Sequence, residues 1–123
     1  MKYRAALASF DGQYVDQHFG HAKKYYIYEF DDQTDTYEFV ERRFVDVFCE
    51  CGNSSSDAFS DVFEKLYDVG AIIISKIGAG AAGIVESKGY VIYESYSRAE
   101  DVLGSINKNR LYEADKWREI SKN

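Results

Sequence analysis

Four consecutive apolar residues, Ala71-Ile72-Ile73-Ile74, stand between Gly70 and Ser75. The run is too short for a helix. It carries no polar position that could face water, so it reads as a strand covered on both faces of a sheet. Helical patterns flank it on both sides. Before it, Phe59, Val62, Phe63 and Leu66 recur at i, i+3, i+4 and i+7, the apolar stripe of a helix over Asp57 to Val69. A serine just ahead of Asp57 is placed to cap that helix, and Gly70 to end it. After the strand, Gly78 to Lys88 reads as a second helix closed by Gly89, and Tyr90 to Glu94 as a further strand. Ser97-Arg98-Ala99-Glu100 has the form of a capping box for a third helix, striped by Ala99, Val102, Leu103 and Ile106.

The first third of the chain follows a different pattern. Lys2 to Ser9, Lys24 to Asp31 and Thr36 to Val47 read as strands, the second dense in tyrosine. In the first of them Tyr3, Ala5 and Leu7 share one side. Asp32-Gln33-Thr34-Asp35 is a turn of side chains that bond their own backbone. The order is βββαβαβα. It implies an α/β domain with a five-stranded mixed sheet flanked by helices, an antiparallel meander first and crossover units second, with Ala71 to Ser75 at its centre. The domain is expected over residues 1–109. Residues 110–123 follow as a charged C-terminal helix or tail with Leu111, Trp117 and Ile120 as its large apolar residues.

Composition narrows the class. The 123 residues suffice for one core, and 46% of them are hydrophobic. The net charge of −6 argues against non-specific binding to nucleic acid or anionic lipid. No apolar run approaches the roughly 20 residues of a membrane span. The start, MKYRAALASF, is too short and too charged for a signal peptide. A cytoplasmic protein is expected.

Both histidines of the chain, His18 and His21, lie in one turn around Phe19-Gly20. Histidines in a loop are usually plain exposed polar residues. At i and i+3 in a turn, with Gly20 to relieve the backbone, they can also converge on one metal centre. Cys49 and Cys51 are the only cysteines, in a Cys-Glu-Cys step. They read either as two free thiols or as a pair of soft ligands. His18, His21, Cys49 and Cys51 together would complete a tetrahedral zinc site if the end of the third strand lay beside the histidine loop.

Gly78-Ala79-Gly80-Ala81-Ala82-Gly83 fits a G-x-G-x-x-G pattern after a strand and at a helix start. A dinucleotide site is disfavoured, because the next strand ends at Glu94, only eleven residues after Gly83, and the companion units are missing. Two compatible readings remain: tight packing of helix on sheet by small residues, and an anion site at a helix N-terminus.

The opening strand, Asp11-Gly12, His18-Phe19-Gly20-His21 before a tyrosine-rich strand, and Ile74-Ser75-Lys76-Ile77-Gly78-Ala79-Gly80-Ala81 come in an order that resembles the nitrogenase iron–molybdenum cofactor biosynthesis family. The family comprises NifX-like and NafY-like proteins and the C-terminal domain of NifB. The resemblance covers roughly residues 1–105. It implies a ribonuclease-H-like fold and a non-catalytic carrier that binds an iron–sulfur or iron–molybdenum cluster precursor transiently and works with cofactor assembly proteins. Carried over, it implies His18, His21, Lys76, Gly78 and Gly80 as cofactor-binding residues, with Cys49 and Cys51 as further ligands. Two imidazoles would hold a cluster less firmly than four thiolates, as release requires.

Two other functions are open. One is a metal-dependent hydrolase or nuclease built on Asp11, Asp16 and other acids. The other is an interaction module with Tyr25, Tyr26 or Trp117 in an exposed patch. The carrier reading requires both histidines at the surface, and requires the loops after the first and fourth strands to leave the sheet at the same end.

Overall fold

The computed structural model describes residues 1–46 and 59–119. Three strands open the chain: β1 (Lys2–Ala8), β2 (Lys24–Asp31) and β3 (Thr36–Phe44). Helix and strand then alternate as α1 (Ser60–Lys65), β4 (Ala71–Ile74), α2 (Ala79–Ser87), β5 (Val91–Glu94), α3 (Ala99–Lys108) and α4 (Leu111–Ala114). They form one five-stranded sheet in the order β3-β2-β1-β4-β5. β1 pairs antiparallel with β2 and parallel with β4, and β4 pairs parallel with β5. The mixed α/β architecture expected from the strand grammar is present, but β1 holds the centre. β4 lies beside it, interior and fully buried.

Period-2 alternation divides the side chains between two cores. Ala6, Ala8, Tyr25, Ile27, Ile72 and Ile74 face α1 and α2, where Val62, Leu66 and Val85 meet them. Ala5, Leu7, Tyr26, Phe30 and Ile73 face α3 and the C-terminal segment, where Leu103, Ile106, Tyr112 and Trp117 meet them. Each fully buried Leu or Ile contributes about 1.5–3 kcal/mol relative to exposure. Both cores depend on the apolar β4 run, whose alternate residues serve opposite faces.

Several local expectations are corrected. The described part of α1 stops at Lys65 and continues as a turn, so Leu66 and Val69 are buried beyond the helix end. Phe63 is only half-buried, its ring stacked on that of Tyr90 at 5.8 Å. Gly70 is no helix cap. A Cβ there would lie 2.8 Å from the Arg118 carbonyl oxygen and 3.0 Å from Trp117 Cβ, so its role is to let the C-terminal segment approach. Ser97 does not cap α3: its Oγ pairs with Ser95 Oγ, and the Ala99 N–H donates to the Gln13 carbonyl at 2.8 Å instead. β3 ends at Phe44 rather than Val47, and Val40 is bulged out of its ladder with β2. The bulge and the charged residues along this strand blunt a sheet edge.

The C-terminal segment docks on the second face. Tyr112 stacks on Tyr3 at 4.8 Å, and Trp117, 4% exposed, meets Phe30 edge-on at 5.6 Å. Trp117 Nε1 donates to the Tyr93 hydroxyl at 2.8 Å.

Candidate functional site

Because β1, β4 and β5 run parallel, their carboxyl ends share one edge of the sheet, where open α/β folds place ligands. The loop after β1 crosses this edge and is bound to it by its backbone. The Val15 N–H donates to the Ser97 carbonyl at 2.8 Å, the Ser75 N–H to the Gln17 carbonyl at 3.1 Å, and the Phe19 N–H to the Lys76 carbonyl at 2.9 Å. His18 and Lys76 thus form a parallel bridge outside the regular strands. The loops after the first and fourth strands leave at the same end, as the carrier reading requires.

Residues 19–21 make one turn of 3-10 helix, with the His21 N–H donating to the His18 carbonyl at 3.0 Å. Phe19 is the anchor of this turn: it is buried, with its ring 5.1 Å from that of Phe59. Burying Phe19 turns the flanking residues outward, and both histidines are exposed. Their ring centroids are 6.4 Å apart. An imidazole centroid stands about 3 Å from a metal held by a 2.0–2.1 Å bond, so two rings on one tetrahedral metal stand closer than this, and His18 and His21 would have to rotate toward each other to share one. Gly20 has no positive φ, and a Cβ there would meet nothing within 4 Å. The backbone relief expected of it is therefore not needed.

The start of α2 lies at the same end of the sheet. Gly78 is the N-cap, no side chain caps the helix, and its first turn holds no acid. Gly78, Gly80 and Gly83 would each accept a Cβ into open space. Tight helix–sheet packing therefore does not account for them, and what they leave is bare backbone at a helix N-terminus. Lys76 is exposed beside it. The Ile77 N–H donates to Glu94 Oε2 at 2.9 Å, which holds the connection from β4 to α2. Glu94 was not singled out from the sequence, since only the pairing of β5 with β4 brings it to this connection.

His18, His21, Lys76, Gly78 and Gly80 therefore lie along one end of the sheet. Cys49 and Cys51 lie outside the described residues. The end of β3 does come beside the histidine loop, since the Val45 N–H donates to the Lys23 carbonyl at 2.9 Å. Among the described residues no group of three or more His, Cys, Asp or Glu side chains is placed to hold a metal ion.

Asp11 and Asp16 serve the loop itself. Asp11 Oδ1 accepts from the Gln13 N–H at 2.9 Å, and Asp16 Oδ1 from the Phe10 N–H at 3.1 Å. The carboxylate trio that a nuclease needs is not assembled around them among the described residues. Tyr25, Tyr26 and Trp117 are buried, so an interaction patch made of them is also corrected. The exposed aromatic residues are others, among them Phe10, Phe44 and Tyr96.

A mixed sheet in this strand order, with the histidine turn and the glycine-rich helix start at the same carboxyl edge, defines a small α/β domain. Over residues 1–109 the sequence matches the family described as Dinitrogenase iron-molybdenum cofactor, and the chain belongs to that family. It is 33% identical over 107 residues to the FeMo cofactor biosynthesis protein NifB of Frankia alni, covering 82% of this chain and 20% of that protein. It is 33% identical over 73 residues to NifB of Bradyrhizobium diazoefficiens, covering 59% of this chain and 14% of that protein. The chain thus spans a fifth or less of these curated relatives. Among solved structures it resembles PH0822, with a TM-score of 0.65, 18% identity and coverage of 98% and 97% of the two chains. It also resembles mj0327 of Methanocaldococcus jannaschii, with a TM-score of 0.53, 18% identity and coverage of 100% and 99%. These two likenesses establish the fold. No helix among the described residues is long and apolar enough to cross a membrane.

Proposed function

We propose that this protein takes part in metallocofactor assembly as a carrier, binding an iron–sulfur or iron–molybdenum cluster precursor reversibly and passing it between assembly proteins. The backbone pairing of residues 17–19 with 75–76 carries the reading, because it ties the turn that bears both exposed histidines to Lys76 and the connection leading into α2. In this arrangement His18 and His21 supply the metal bonds. Lys76 and the first amides of α2 offset the negative charge of the cluster. Exposure on both sides of the site permits entry and release. No bond in the cargo needs to be made or broken. Family membership supports the class of cargo, and the NifB relatives are named for FeMo cofactor biosynthesis.

Anaerobic titration of the protein with a reconstituted iron–sulfur cluster, followed by visible absorption, tests the reading. The His18→Ala/His21→Ala variant is expected to lose binding while its thermal melt stays within a degree or two of wild type, because neither side chain is buried. Lys76→Ala is expected to weaken binding less, since it removes charge and no metal bond. Little effect of Cys49→Ser/Cys51→Ser leaves imidazole as the anchor, whereas complete loss moves the anchor to sulfur. Wild-type binding by the double-histidine variant overturns the proposal.

A further inference from the structure

Beside His21 the ends of three strands form a row: Phe10 follows β1, Lys24 opens β2, and Phe44, the register partner of Lys24, closes β3. Phe10 is 70% exposed and Phe44 60%. Lys24 Nζ donates to the Phe10 carbonyl at 2.7 Å and stands 5.2 Å from the Phe10 ring centroid. The Arg42 guanidinium lies 6.0 Å from the Phe44 ring. Between the two rings is a concavity of about 330 Å³, lined also by Gln17, His21, Lys23 and Lys24. Among the described residues no carboxylate lines it.

We propose that the Phe10–Lys24–Phe44 row is a docking surface for a partner protein whose contact face carries apolar side chains set among carboxylates. Phe10 and Phe44 line one exposed concavity with charged residues at its rim, the arrangement that a protein interaction site presents. The lysines and Arg42 steer an acidic face toward it and penalise a basic one. The rings are too open to enclose a small molecule, but they can seat the apolar side chains of a protein surface. A symmetric contact of the row with itself would set lysines against lysines, so a second copy is the poorer occupant. The row borders His21, so a partner seated there lies against the edge of the proposed cluster site. That consequence rests on the carrier reading, whereas the docking surface does not.

The test uses the full chain without cluster, labelled with nitrogen-15 and observed by two-dimensional NMR. The probe is a synthetic amphipathic helical peptide with leucines at i, i+3, i+4 and i+7 flanked by glutamates. A second peptide carries lysines in place of the glutamates. Expected are amide shifts centred on Phe10, Lys23, Lys24 and Phe44 with the acidic peptide, weakened about threefold or more between low and physiological salt. Phe10→Ser/Phe44→Ser should weaken binding about tenfold or more. Lys23→Glu/Arg42→Glu, which leaves the aromatic rings and Lys24 in place, should reverse the preference between the two peptides. Equal binding of both peptides, shifts centred elsewhere, or no shifts at millimolar peptide overturns the proposal. Self-association that Phe44→Ser relieves also overturns it, in favour of a second copy. Cluster titration of the same samples is independent of all these outcomes, so failure here leaves the carrier reading standing.

Discussion

The Phe19 backbone N–H is bonded to the Lys76 carbonyl oxygen at 2.9 Å, joining the loop after the first strand to the loop after the fourth. The next bond in the same bridge runs from the Ser75 N–H to the Gln17 carbonyl. Two loops whose bonded residues are 57 and 58 positions apart in sequence are therefore one local unit. Their amides are expected to exchange with solvent together: Phe19 and Ser75 should share one opening free energy and change in parallel in denaturant. Protection of Ser75 with free exchange at Phe19 would show that the histidine turn opens on its own.

Asp68 links three elements. It accepts from Arg43 through both oxygens at 2.6 and 3.0 Å, and from Arg4 Nη1 at 2.6 Å. Burial alone raises an aspartate pKa, but the Arg43 hydrogen bond, with the charges of Arg43 and Arg4, outweighs it and holds this carboxyl below its ordinary value. A depressed carboxylate pKa stabilises the fold above the unfolded value of about 3.9, and the contribution is lost as pH falls through the folded value. Acid melts should show this loss below about pH 4. Asp68→Asn should cost about 3 kcal/mol at neutral pH and flatten the acid limb.

Gly70→Ala is expected to destabilise by about 1–3 kcal/mol, because the new Cβ meets backbone at Arg118 that cannot rotate away. The strain falls on the Trp117 segment. The fluorescence of the only tryptophan should shift to the red before the sheet unfolds, and a coincident transition would place the strain elsewhere.

Truncation after Asn109 removes Tyr112 and Trp117, although the family match ends there. The loss should exceed about 4 kcal/mol and lower the melting temperature by about 10 °C or more, since Tyr3 and Phe30 lose their ring partners. An unchanged melt would make residues 110–123 a dispensable tail.

Tyr25 is fully buried, and its hydroxyl has no hydrogen-bond partner among the described residues. Burial pushes its pKa far up. Tyr25→Phe removes a desolvated polar group together with its cost, so stability should be unchanged or higher by up to about 1 kcal/mol. A clear loss in urea melts would reveal an acceptor.

What was legible in the sequence follows from where the information is local. The Ala71–Ile74 run, the i, i+3, i+4 stripe of α3 and the tyrosine-rich β2 each state their environment through periodicity, and they were read correctly. The central place of β1 was hidden, because Ala5, Ala6 and Ala8 are small and its neighbours are set by long-range pairing. The purpose of Gly70 was hidden for the same reason: it answers to residues nearly fifty positions away. At the site, the histidine turn and the glycine-rich helix start could be named from their types. Glu94 could not, because only the parallel register of β4 and β5 brings its carboxylate to Ile77.

The site edge is held by main-chain bonds at residues 13–19, 75–76 and 97–99, while the side chains of His18, His21 and Lys76 project from it unburied. Exposed chemistry and architecture are thus written in separate atoms. Substitutions at these three positions leave the scaffold's wiring intact, so the chemistry presented at this edge can be changed by point substitutions without refolding its frame. The same separation makes it a chassis on which new ligand sets, or a reporter group at position 18 or 21, can be installed.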